Sequence, residues 1–85
     1  MFITLYAVKK SNPAHMCGRD RTLCKYSKKD DALQKAYALT DSGVDDLYVE
    51  ERLYADEKNL SRDITFDSNV VWSQWFDNRK FHGGM

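Results

Sequence analysis

His15, Cys17 and Cys24 lie within ten residues of one another, and His82 stands near the C-terminus. Thiols and imidazoles are the ligand types of a tetrahedral zinc site, but such sites present close pairs of the Cys-x2–4-Cys kind. Here six residues separate the cysteines, and His82 sits in a glycine-rich tail. Cys24 therefore reads as a small core residue and Cys17 as a loop thiol. A Cys–His nucleophile would need a third, orienting group beside His15 and Cys17, and nothing nearby supplies one. Asp41, Asp45 and Asp46 gather at a helix end without the ordered Asp-x-Asp spacing of a calcium loop. There is no phosphate-cradling glycine loop and no nucleophile elbow. The expectation is a protein that is not an enzyme and carries neither metal nor cofactor.

The stretch CGRDRTLCKYSKKDDALQKAY, residues 17–37, poses a different question. Lys28 and Lys29 fall in the first turn of an expected helix, where the partial positive charge of the N-terminus disfavours cations by about 0.3–1 kcal/mol. With Arg19, Arg21 and Lys25 they form a candidate anion-binding patch at the free N–H groups of that helix. Tyr26 lies among these cations and could stack on a base. The plainer reading is a solvated surface balanced by Asp30 and Asp31. A second candidate surface lies further on. Tyr48, Arg52 and Tyr54 fall on the strand face opposite Leu47, Val49 and Leu53. If that face is open to water, they are the residue types that anchor protein interfaces. Trp72, Trp75, Phe76 and Phe81 add an aromatic load that a small core takes up in large part, with the remainder free to cover an interface.

The elements that would position these residues follow from periodicity. FITLYAV, 2–8, is apolar on both alternating faces and reads as a buried strand. RTLCKY, 21–26, reads as a second strand antiparallel to it. Ser27 reads as the N-cap of a helix from about Lys28 to Ser42. Ala32, Leu33, Ala36, Tyr37, Leu39 and Thr40 share one side, Asp31, Gln34, Lys35 and Asp41 share the other, and Gly43 is the stop. VDDLYVEERLYA, 44–55, alternates as a third strand. DEKN turns the chain into RDITF, 62–66, as a fourth strand. VVWSQWF, 70–76, reads as a fifth, with a helix over 68–80 as the competing view. These predict an α+β fold of one helix on a mostly antiparallel sheet, a single domain over 1–85 with a frayed tail at about 82–85.

Charge is unevenly distributed. Residues 1–30 carry seven basic and two acidic side chains, whereas residues 31–70 carry four basic and ten acidic ones, within a chain of zero formal net charge. Such asymmetry points to a polyanion-binding face or a charged partner, or to pairing of the two regions within the fold. No apolar run approaches the ~20 residues of a membrane span, and the first lysines follow the opening apolar run instead of preceding it. The expectation is a cytoplasmic protein with reduced thiols and no membrane partner.

The segment YSKKDDALQKAYALTDSGVDDLYVEERLY, residues 26–54, resembles small accessory proteins of tailed bacteriophages, which pair a helix of the A-L-x-x-A-Y-A-L kind with a following strand. The resemblance is one of texture and carries no site residue. It implies a host-takeover or counter-defence protein that inhibits a host effector by binding it, such as a defence toxin, a toxin–antitoxin ribonuclease or a regulatory complex. RNA contact through the basic segment fits that picture. The alternative is a small nucleic-acid-binding regulator.

Overall fold

The structure, a computed structural model, describes residues 2–11 and 20–76. The chain runs β1 (Ile3–Lys10), β2 (Arg21–Tyr26), α1 (Lys29–Asp41), β3 (Leu47–Tyr54), α2 (Glu57–Ser61) and β4 (Asp67–Ser73), closing with a 3-10 turn at Gln74–Phe76. The strands form one sheet in the order β2-β1-β3-β4, with every neighbouring pair antiparallel. This is the α+β domain that the periodicities predict. β2 and β3 both oppose β1 and so run parallel to each other. Parallel strands need a crossover, and α1 supplies it.

α1 lies on one face of the sheet. Ala32 and Ala36, four residues apart and fully buried, let its backbone approach Val8 and Val49, while Tyr6, Cys24, Tyr26, Leu33, Leu39, Val71 and Trp72 pack around that contact. The Tyr37 ring meets Trp72 edge-on at 5.6 Å between centroids. Asp31, Gln34, Lys35 and Asp41 face solvent, as the period requires. The cap differs from expectation. Lys28, in extended conformation, is the N-cap and gives no side-chain bond; Ser27 lies outside the helix. Asp30 and Asp31 in the first turn meet the helix dipole in place of a capping hydroxyl.

Both helices end in the same way. After α1, the Gly43 N–H donates to Thr40 at 3.0 Å and the Val44 N–H to Leu39 at 3.0 Å. After α2, the Asp63 N–H donates to Leu60 at 3.0 Å and the Ile64 N–H to Asn59 at 2.9 Å. Each is a Schellman closure, which needs a left-handed residue at its turn. Gly43 serves at φ 94° and Asp63 at φ 56°. A strand begins four residues after each of them.

The segment between β3 and β4 departs from expectation. DEKN does not form a simple turn. The Asp56 side chain accepts the Asn59 N–H at 2.8 Å and nucleates α2. RDITF forms no strand, because Arg62 and Asp63 close α2 and leave Ile64 and Phe66 exposed. The last strand starts at Asp67 and ends at Ser73, where a strand over 70–76 was expected, and of the competing 68–80 helix only the 3-10 turn exists among the described residues. Four strands therefore stand where five were expected. Gln74, 3% exposed, ties the end of the sheet to α1, to the loop that follows it and to β3. Its amide donates to Thr40 Oγ1 at 3.0 Å and to the Val44 carbonyl at 2.9 Å, and its carbonyl accepts the Leu47 N–H at 3.4 Å.

The helix–sheet contact leaves no room at its alanines. Ala36→Leu should cost about 1–3 kcal/mol by overpacking, whereas Gln34→Leu on the exposed side should stay within about 0.5 kcal/mol. Urea denaturation midpoints measure both. Equal midpoints would place the close approach elsewhere on α1.

Candidate functional site

The sheet face turned away from α1 is built from the alternate residues of the same strands. Cys24 and Tyr26 pack toward the helix, so Lys25 points the other way. Val49 does the same in β3, which turns Tyr48, Glu50, Arg52 and Tyr54 to the far face. These β3 residues were expected to be exposed. Tyr54 is instead fully buried and Arg52 is 6% exposed. The roof is the turn after α2, which brings Asp63 over both side chains.

Arg52 organises this face through four donated hydrogen bonds. Nε donates to Glu50 Oε1 at 2.7 Å, and Nη2 to Thr22 Oγ1 at 3.3 Å. Nη1 donates to Asp63 Oδ1 at 3.2 Å and to Tyr54 Oη at 3.5 Å. The Tyr54 hydroxyl donates in turn to Asp63 Oδ1 at 2.6 Å. Lys25 Nζ lies 3.7 Å from that same oxygen, and Lys9 Nζ lies 3.8 Å from Glu50 Oε1. Burial and the bond to Asp63 push the Tyr54 hydroxyl pKa up. Burial opposes the Arg52 charge, but Glu50, Tyr54 and Asp63 more than compensate and hold its pKa above the usual value. The basic first third and the acidic middle thus meet in the fold through Lys9–Glu50 and Lys25–Asp63.

Among the described residues, the expected anion-binding patch is not brought together. Arg19 lies outside the described residues, as do His15, Cys17, Phe81 and His82. Arg21 opens β2 and Lys28 follows its other end, roughly 17 Å away at strand rise. Lys25 is committed to Asp63 on the face opposite α1. Tyr26 packs half-buried against the helix core instead of standing among cations as a stacking platform. Lys28 and Lys29 are exposed at the start of α1, beside Asp30 and Asp31. Among the described residues no cluster of three or more His, Cys, Asp or Glu side chains could hold a metal ion, and Cys24 is a free, half-buried thiol.

A groove of about 800 Å³ opens beside this face, lined in part by Ser11, Tyr48, Glu50, Val70, Ser73 and Trp75. Tyr48 is half-buried and its hydroxyl donates to Asp20 at 2.5 Å. Burial first, and then that bond, push its pKa up. Lys9 Nζ sits 5.8 Å from the centre of the Tyr48 ring. Val70 is 52% and Trp75 57% exposed. Asp63, Val70 and Trp75 shape this side of the molecule, and sequence reasoning singled out only Trp75, within a general aromatic load. Asp63 had a legible signal: an aspartate stands where the first helix end has Gly43. Comparison with family models, curated proteins and solved structures finds no match. No helix among the described residues is long and apolar enough to cross a membrane.

The Tyr54 hydroxyl, then the Arg52 and Lys25 charges, hold the Asp63 carboxyl pKa below its ordinary value, against an opposing effect of burial. A lowered folded pKa gives stability that is complete above the unfolded carboxyl value, ~3.9, and is lost as pH falls through the folded one. Asp63→Asn should therefore flatten the loss of stability below about pH 4 relative to the parent. Urea midpoints at pH 6 and pH 3 test this, and parallel losses in the two proteins would remove Asp63 from the acid response.

Proposed function

We propose that the protein is a non-catalytic binding protein that blocks a host effector, with β4 and the groove beside it as the docking surface. The observation that carries this reading is the contrast between the two sheet edges. β2 carries Arg21 and Lys25, whereas both edge strands share a register shift against their neighbours, at Val8/Lys9 for β2 and at Val49/Glu50 for β4. The charges make the difference, because basic side chains are a device by which edge strands resist unwanted pairing. β4, sequence DSNVVWS, contains no lysine, arginine or proline, and its one charge is Asp67. Among the described residues it is paired on one side only. Exposed Val70 lies within it, exposed Trp75 follows it, and exposed Phe66, 67% accessible, precedes it against the Phe2 ring.

An open edge of this kind accepts an extended segment of another chain. Main-chain hydrogen bonds supply affinity, and pockets for alternate side chains supply selectivity. Val70 and Trp75 would be the anchors, in a groove with Tyr48 and Glu50 at its floor. This mode of action fits the phage accessory proteins that the segment 26–54 resembles, whose inhibition works by occupying a host effector. The dispersed cations make nucleic acid the weaker ligand, since affinity for a polyanion grows with the number of phosphates neutralised together.

A pull-down from bacterial lysate with the tagged chain tests this reading, with and without nuclease. A specific protein should be retained after nuclease and lost with Val70→Lys and with Trp75→Ala, both on exposed side chains. Loss of every partner on nuclease treatment would turn the reading to nucleic acid. Retention of the partner by both variants would move the docking surface away from β4.

A further inference from the structure

We propose that Arg52, Tyr54 and Lys25 form an oxyanion-binding site, which Asp63 of the same chain fills in the closed form and from which a small carboxylate or phosphate can displace it. Two hydrogen-bond donors and one ammonium from two strands converge on a single oxygen, Asp63 Oδ1: Tyr54 Oη at 2.6 Å and Arg52 Nη1 at 3.2 Å donate to it, and Lys25 Nζ pairs with it at 3.7 Å. Arg52 is held at the floor by Glu50 and Thr22, so its guanidinium stays aimed at that position without Asp63. The Arg52 side chain is 7% exposed and that of Asp63 is 53% exposed. Arg52 and Tyr54 thus form a buried floor, Lys25 stands at the exposed rim, and the occupant comes from the solvent side.

The occupant is carried on an exposed segment. α2 has five residues and none is buried. Residues 61–70 are all exposed. Asp63 holds a left-handed backbone that suits glycine, the residue used at the equivalent point after α1. An aspartate at this position gives up backbone ease and contributes a carboxylate to the cradle. When that carboxylate leaves, Arg52 and Lys25 lose a shared counter-charge. The nearby Glu50 already serves both Arg52 and Lys9. A buried guanidinium in this condition demands another anion. Asp63 is therefore an internal ligand, and an external oxyanion binds in competition with the segment that carries it.

The test is rescue by small anions. Asp63→Gly removes the carboxylate and keeps a residue suited to the backbone. Melting temperatures of the parent, of Asp63→Gly and of Asp63→Gly/Arg52→Met are measured at pH 7 in chloride, acetate and inorganic phosphate at equal ionic strength. The parent and the double variant set the general salt effect. In acetate or phosphate, Asp63→Gly should gain about 6 °C beyond that baseline, saturably, as expected for a site filled at about ten times its Kd in a domain this small. A gain in acetate alone would assign a carboxylate site, and a gain in both a general oxyanion site. If Asp63→Gly is unfolded in chloride, recovery of its circular dichroism on adding either anion is the same positive result. No gain beyond the parent, no recovery of an unfolded variant, or an equal gain in the double variant overturns the proposal.

Discussion

A guanidinium buried in the middle of β3 governs the arrangement of half this molecule. Taking the Arg52 charge out of water is tolerable only where its donors and its charge are both answered. The answers come from β2 through Thr22, from β3 through Glu50 and Tyr54, and from the turn after α2 through Asp63. Each imposes a further requirement. Glu50 stays close to Lys9, and Asp63 must hold a left-handed backbone to reach over the sheet. The polar face is thus a set of linked constraints and cannot be treated as a row of independent surface charges.

The opposite face solves a simpler problem. Two alanines bring α1 close, and four fully buried side chains with a ring of half-buried ones make the core. In a domain of this size a single helix cannot cover a four-stranded sheet on both sides. The central strands β1 and β3 are covered, and the deficit falls on the edges and on the segment from 61 to 70. That is why Ile64, Phe66, Val70 and Trp75 remain in water although their residue types belong in a core.

The legible parts of the sequence were those whose signal is local and periodic. The 3.6-residue stripe placed α1, the period of two placed β3, and Gly43 marked the stop. α2 escaped because a five-residue helix has no period to read; its signal is one capping aspartate, Asp56. The apolar alternation of RDITF suggested a strand, but Asp63 closes a helix there and the apolar side chains face solvent. Burial of Arg52 and Tyr54 was illegible because their roof comes from eleven and nine residues further along, in that misread segment. The described part of the basic stretch diverges for a geometric reason. Neighbours in sequence alternate across a strand, so Lys25 and Tyr26 go to opposite faces while Lys28 goes to the helix start.

The clasp at Asp63 and the exposed edge at β4 are mechanically joined. Only three residues separate Asp63 from the first residue of β4. Within that span Ile64 is pinned to Asn59, and the Phe66 N–H donates to the Leu53 carbonyl at 2.7 Å, the bond that starts the pairing of this segment with β3. A shift at Asp63 would therefore pull on the first rung of the β4 ladder, and a partner seated along β4 would hold Asp63 over Arg52. Occupation of the edge and closure of the clasp then favour each other. The buried guanidinium that organises the polar face also helps to set the geometry of the strand presented to solvent.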